Sequence, residues 1–129
     1  MPDQSRVLVL PELSRRIVGC FYDVYNELGH GFLEVVYQRA LFIALTHAGI
    51  NCRTEVPIDV QFRGVSVGSY RADIVVEDHI VLECKAGSAI SPGHQAQLTH
   101  YLKATSFTLG IILNFGPKPT FKRMLRSGA

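Results

Sequence analysis

Asp73, Glu83 and Lys85 have the types and the spacing to do chemistry together. The turn residues Glu77-Asp78 lie between the two acids, and a hairpin centred on position 78 sets Asp73 opposite Glu83. Opposed strand residues have β-carbons about 4.5–5.5 Å apart. Two carboxylates at roughly 5 Å repel by about 3 kcal/mol at an effective dielectric near 20, so this placement needs a cation between them. Lys85 follows Glu83 by two residues and shares its strand face, while Cys84 points to the opposite layer. Paired carboxylates with room for water suit a hard cation such as Mg²⁺ or Mn²⁺, which takes oxygen ligands and retains waters for a phosphate substrate. A neighbouring ammonium can orient the attacking water or stabilise charge growing on the phosphate. The plain alternative is an ion-pair cluster in which Lys85 neutralises Glu83. Against it, Ile80, Val81, Leu82 and Ala86 predict burial, where charge is costly without a function.

The elements that position these residues can be read from periodicity. Leu13, Ile17, Cys20, Phe21, Val24, Tyr25 and Leu28 form one helical stripe that ends at Gly29-His30-Gly31. A second helix is expected from about Phe32 to His47, with Leu33, Val36, Tyr37, Ala40, Leu41, Ala44 and Leu45 buried. Val56, Ile58, Val60 and Phe62 alternate as a strand, and Pro57 points to an edge. Glu55, near its start, either borders the site or makes a surface pair. After Arg63-Gly64 a second strand changes its apolar parity near Gly68, which suggests a bulge. Residues 80–86 read as a central buried strand. A third helix spans roughly Pro92 to Ala104, with Pro at its first position, and a last strand follows at 107–115.

The 129 residues and 14.3 kDa suit one domain, with 47% hydrophobic and 19% charged residues. The net charge of +2 conceals a split: residues 1–83 hold all 11 acids and 7 Arg, whereas 84–129 hold 4 Lys and 2 Arg and no acid. A basic second half suits a polyanion. Three isolated cysteines, Cys20, Cys52 and Cys84, argue against disulfides and zinc sites. The five histidines show no zinc spacing. With no signal-peptide core or long apolar run, a cytoplasmic protein without a membrane segment is expected.

An Asp followed ten residues on by Glu-x-Lys, in an α-β-β-β-α-β order, resembles the PD-(D/E)XK nuclease superfamily. Ala72 stands where that pattern has Pro, at a position that varies widely in the superfamily. Gly31-Phe32-Leu33-Glu34-Val35-Val36-Tyr37 is similar to the Gly-x-x-Glu-x-x-Tyr signature of the GxxExxY family. Gln97-Leu98-Thr99-His100-Tyr101 is similar to the Gln-x-x-x-Tyr motif of the RecB-type branch, and Tyr101-Leu102-Lys103-Ala104-Thr105 and Leu113-Asn114-Phe115-Gly116 also resemble GxxExxY members.

The resemblance implies a restriction-endonuclease-like α/β fold: an αβββαβ core with a mixed central sheet flanked by helices, plus an extra N-terminal helix. A single domain over 1–129 is expected, with its core at about 11–116 and a mobile or loosely docked basic tail at 117–129. Glu34, Asp73 and Glu83 would hold Mg²⁺ or Mn²⁺ with the Cys84 main-chain carbonyl, and Lys85 would be the catalytic lysine. Gln97 and Tyr101 would contact phosphate or position the lysine, and His94 and Lys103 would add nucleic-acid contacts. Gly31 and Tyr37 complete the signature, Tyr37 being a core aromatic with a satisfied hydroxyl. The implied activity is metal-dependent hydrolysis of phosphodiester bonds in DNA, with a homodimer or partner protein completing the grip. The rivals are a catalytically silent nucleic-acid- or protein-binding module on the same fold and a phosphoesterase acting on small nucleotides.

Overall fold

A computed structural model describes the backbone of residues 4–126 and the side chains of residues 10–126. The elements run α1 (Gln4–Leu28), α2 (Glu34–His47), β1 (Cys52–Phe62), β2 (Val65–Val76), β3 (Ile80–Lys85), α3 (Pro92–Ala104), β4 (Leu109–Phe115) and β5 (Pro119–Leu125). They form a five-stranded mixed sheet in the order β1-β2-β3-β4-β5. β3 and β4 are parallel, joined by the α3 crossover, and the other neighbours are antiparallel. Among the described residues no helix is long and apolar enough to cross a membrane.

The sheet is covered on both faces. On one, α1 and α2 bury Ile17, Phe21, Tyr37, Leu41 and Leu45 against Ile74, Ile80, Leu82, Ile111 and Leu113. On the other, Leu98 and Leu102 of α3 pack on Val75, Val81 and Ile112. β3 lies centrally, which accounts for its lack of alternation.

Three expectations change, and the bulge expected near Gly68 is present. Residues 117–126 do not hang loose: β5 pairs with the whole of β4. Phe121 packs on the first core, and the Arg123 guanidinium lies 5.1 Å from the Phe121 ring centroid while donating to the buried Ser14 hydroxyl at 2.6 Å. The basic side chains disguise a strand whose apolar and aliphatic parts are docked. α1 begins earlier than its apolar stripe, at Gln4, with Pro11 inside it. α2 begins at Glu34; Leu33 is its N-cap residue and is 75% exposed, so it leaves the predicted buried stripe. The β1–β2 register shifts beside Val60/Gln61, with Val60 opposite Gly68 and Gln61 opposite Ser66, leaving Val67 as the extra residue beside Gly68.

β1 and β2 also change faces opposite each other. Cys52 packs on the α1/α2 side, yet Val56 and Ile58 pack on the α3 side; Ile74 and Val76 are on the α1/α2 side, yet Ala72 is on the α3 side. A regular strand would keep residues of one parity on one face. The switch falls at Glu55 and Asp73: Glu55 has φ +52°, and the two are skipped in an otherwise continuous ladder between Thr54↔Ile74 and Val56↔Ala72.

Candidate active site

β2 and β3 pair through Val76↔Ile80, Val75↔Val81 and Ile74↔Leu82, a register whose next step sets Asp73 opposite Glu83. Glu77 and Asp78 make the turn, both with positive φ, and His79 N–H closes it onto the Val76 carbonyl at 3.0 Å. The ladder ends after Ile74↔Leu82. There Asp73 Oδ2 accepts the Cys84 main-chain N–H at 2.7 Å, so the carboxylate occupies the seam between the strands.

Burial sets the electrostatics of the pair. It is the main reason the Glu83 carboxyl is pushed up to about 8; the Asp73 charge adds to the rise, Lys85 opposes it and Glu34 adds further. Asp73 is also raised by burial, held back by the Cys84 N–H and Lys85, and pushed further by Glu34 and Glu55. Glu83 Oε1 is a buried acceptor without a hydrogen-bond partner. Lys85 forms no salt bridge with either acid among the described residues, where the ion pair is Arg53–Asp78. An orphaned carboxylate oxygen beside a second carboxylate, all donors being oxygen, fits a hard divalent cation. Glu34, exposed on the first turn of α2, is near enough for its charge to act on both acids. The three do not close into a cage: no group of three or more His, Cys, Asp or Glu that could hold a metal occurs among the described residues.

The Gly-x-x-Glu-x-x-Tyr segment has a mechanical explanation. Gly31 takes φ +127°, open to glycine, and Glu34 follows as the first residue of α2. Fully buried Tyr37 donates to the Gly29 carbonyl at 2.5 Å and accepts from Phe32 N–H at 3.3 Å, while its ring stacks on Phe115 at 4.4 Å. Tyr37 thus pins the loop that delivers Glu34 and is a core residue with a satisfied hydroxyl.

The Leu113-Asn114-Phe115-Gly116 segment does the same for the chain after Lys85. Fully buried Asn114 accepts from Gly87 N–H at 3.1 Å and donates to the Gly87 carbonyl at 3.0 Å. A β-carbon at Gly116 would meet that carbonyl oxygen at 2.2 Å.

α3 forms the other wall. Ser91 caps it: its hydroxyl accepts from His94 N–H at 3.1 Å, while Ser91 N–H lies 3.4 Å from His94 Nδ1, so the His94 ring takes part in the cap. Gln97 donates to the Tyr101 hydroxyl at 2.5 Å, and Tyr101 stacks on Tyr70 with the rings 11° apart. Burial raises the pKa of both tyrosines, and the Glu83 charge raises it further, so this stack stands beside Glu83. The Tyr70 hydroxyl is buried without a partner. Lys103 is exposed in the last turn of α3.

The sequence reading missed Gln38 and Tyr70. Gln38 had one signal, a polar residue four positions after Glu34 and so on the same face of α2. Tyr70 had none.

A search of curated proteins gives no match. The crystal structure of SSO0001 superposes with a TM-score of 0.55 at 22% identity, covering 95% of this chain and 61% of that one. The likeness is one of fold, and the chain spans under two thirds of that protein's length. The family profile described as PD-(D/E)XK nuclease superfamily matches residues 11–124, which include all of the sheet but its last residue, Leu125. The chain belongs to the PD-(D/E)XK nuclease superfamily.

Proposed function

We propose that this domain hydrolyses phosphodiester bonds in DNA, with Asp73, Glu83, Glu34 and the Cys84 carbonyl as ligands for Mg²⁺ or Mn²⁺ and Lys85 as the catalytic lysine. The superfamily carries the coarser part, a nuclease-like fold whose members typically use divalent metal ions on nucleic acid. The observation that supports the specific site is the half-buried Asp73–Glu83 pair with its buried, orphaned Glu83 oxygen. When bound, the cation supplies charge neutralisation at the scissile phosphate.

The chain's own residues do the rest. The Cys84 N–H fixes the Asp73 carboxylate at the strand seam. Lys85, held by the Asn114–Gly87 clamp that follows it, brings a positive charge to the acids and to an incoming phosphate. Gln97 and Tyr101 offer polar groups on the α3 side, with His94 and Lys103 on the same helix for backbone contacts. The motif set favours a place in the GxxExxY family near the RecB-type branch. A cytoplasmic setting agrees with its three isolated cysteines.

Purified protein with Mg²⁺ or Mn²⁺ is expected to cut at least one of a panel of single-stranded, duplex and branched DNAs, and the triple variant Asp73→Ala, Glu83→Ala, Lys85→Ala is expected to cut none. No cleavage of any DNA in the panel, or equal cleavage by the triple variant, would overturn the proposal. Metal-independent DNA binding without cleavage would favour the silent module.

A further inference from the structure

Glu55 holds a left-handed conformation, φ +52°, within β1. For a residue with a β-carbon this is a strained backbone that persists where the surroundings impose it, often at functional sites. Its position is the point where β1 and β2 both change faces, directly across from Asp73. Its carboxylate is held by Gln38, on α2 one turn after Glu34 and only 8% exposed. The Gln38 amide donates to Glu55 Oε1 at 2.8 Å and to the Asp73 main-chain carbonyl at 3.3 Å. One buried amide therefore ties the Glu55 carboxylate to the backbone of the acid whose own carboxylate is fixed by Cys84 N–H.

A buried glutamine on an otherwise apolar stripe is costly unless its amide is used. Here it holds a negative charge beside a half-buried carboxyl pair, and the Glu55 charge acts on Asp73. A purely structural tie would not call for a carboxylate there.

We propose that Gln38 is a positioning residue of the Asp73 site, and that Glu55, held by it, adds its charge to the field that binds the divalent cation. This rests on the reading of Asp73 and Glu83 as cation ligands. It enlarges the site from the two opposed strands to a layer that includes β1 and the second turn of α2.

The test is calorimetric titration of the purified protein with Mn²⁺, alongside thermal unfolding of each variant without metal. Glu55→Gln keeps the shape and an acceptor for Gln38 but removes the charge. Its Mn²⁺ affinity is expected to fall about tenfold or more while its melting temperature stays that of the wild type. Gln38→Leu is expected to weaken Mn²⁺ binding similarly, and Glu27→Gln, on the exposed side of α1, to leave it unchanged. If Gln38→Leu fails to fold, Glu55→Gln alone decides. Wild-type affinity in Glu55→Gln, with binding lost in Asp73→Asn, overturns this inference and leaves the cation reading standing. No Mn²⁺ binding by the wild type overturns both.

Discussion

Replacing Glu83 with glutamine should remove the pH dependence that this side chain imposes on the metal-free protein. In the fold its carboxyl is pushed up to about 8, against an ordinary 4.5, with burial as the first cause and the Asp73 charge as the second. The folded chain therefore holds a proton that the unfolded chain has released throughout that interval. The sign follows: a folded pKa above the unfolded one gives stability that is full below about pH 4.5 and is lost as pH rises toward 8. Each pH unit costs about 1.4 kcal/mol, so the loss approaches roughly 4–5 kcal/mol and belongs to the Asp73–Glu83 pair as a unit. Glu83→Gln keeps the shape and cannot ionise. Urea unfolding in chelator at several pH values between about 5 and 8.5 should show wild-type stability falling steeply while the variant stays nearly flat and is the more stable at the alkaline end. Added Mg²⁺ should restore the wild type at high pH and do little for the variant, because the ion replaces the missing proton. Parallel stability curves for the two proteins would refute the reasoning, since they would mean that Glu83 titrates as if exposed.

Asn114→Ala removes both bonds to the Gly87 main chain from a fully buried position, and urea unfolding should show a loss of about 2–3 kcal/mol with slower cleavage, because the chain after Lys85 loses its clamp. Gly116→Ala drives a β-carbon to 2.2 Å from the Gly87 carbonyl oxygen, a backbone atom that cannot swing away; a loss of about 1–3 kcal/mol in the same assay is expected. Tyr37→Phe keeps the stack on Phe115 and removes the hydroxyl between Gly29 and Phe32, so it should lose about 1–2 kcal/mol and speed amide exchange at the start of α2.

How far the sequence could be read follows from how local each determinant is. Asp73 and Glu83 flank one short turn, so counting from its centre was enough to place them opposite each other. The stripe of α1 and the proline at the start of α3 were equally local. β5 was not, because Lys122 and Arg123 interrupt its alternation and its partner face is supplied by Ser14, 109 residues away. The same distance problem hid the Tyr70–Tyr101 stack and the tie from Gln38 to Glu55 and Asp73. Glu55 adds a second difficulty: glutamate carries no signal for a positive φ inside a strand, and only the tertiary contacts of β1, β2 and α2 impose it. Leu33 fell outside the core because the helix starts one residue after it, and periodicity fixes helix ends poorly.

Anomalous diffraction from crystals soaked in Mn²⁺ tests the cation site without recourse to activity. An anomalous peak is expected between the Asp73 and Glu83 carboxylates, in contact with Glu83 Oε1 and beside the Cys84 carbonyl, at an ordinary Mn–oxygen distance. A fully occupied Mn²⁺ elsewhere, with Glu83 Oε1 still unliganded, would contradict it.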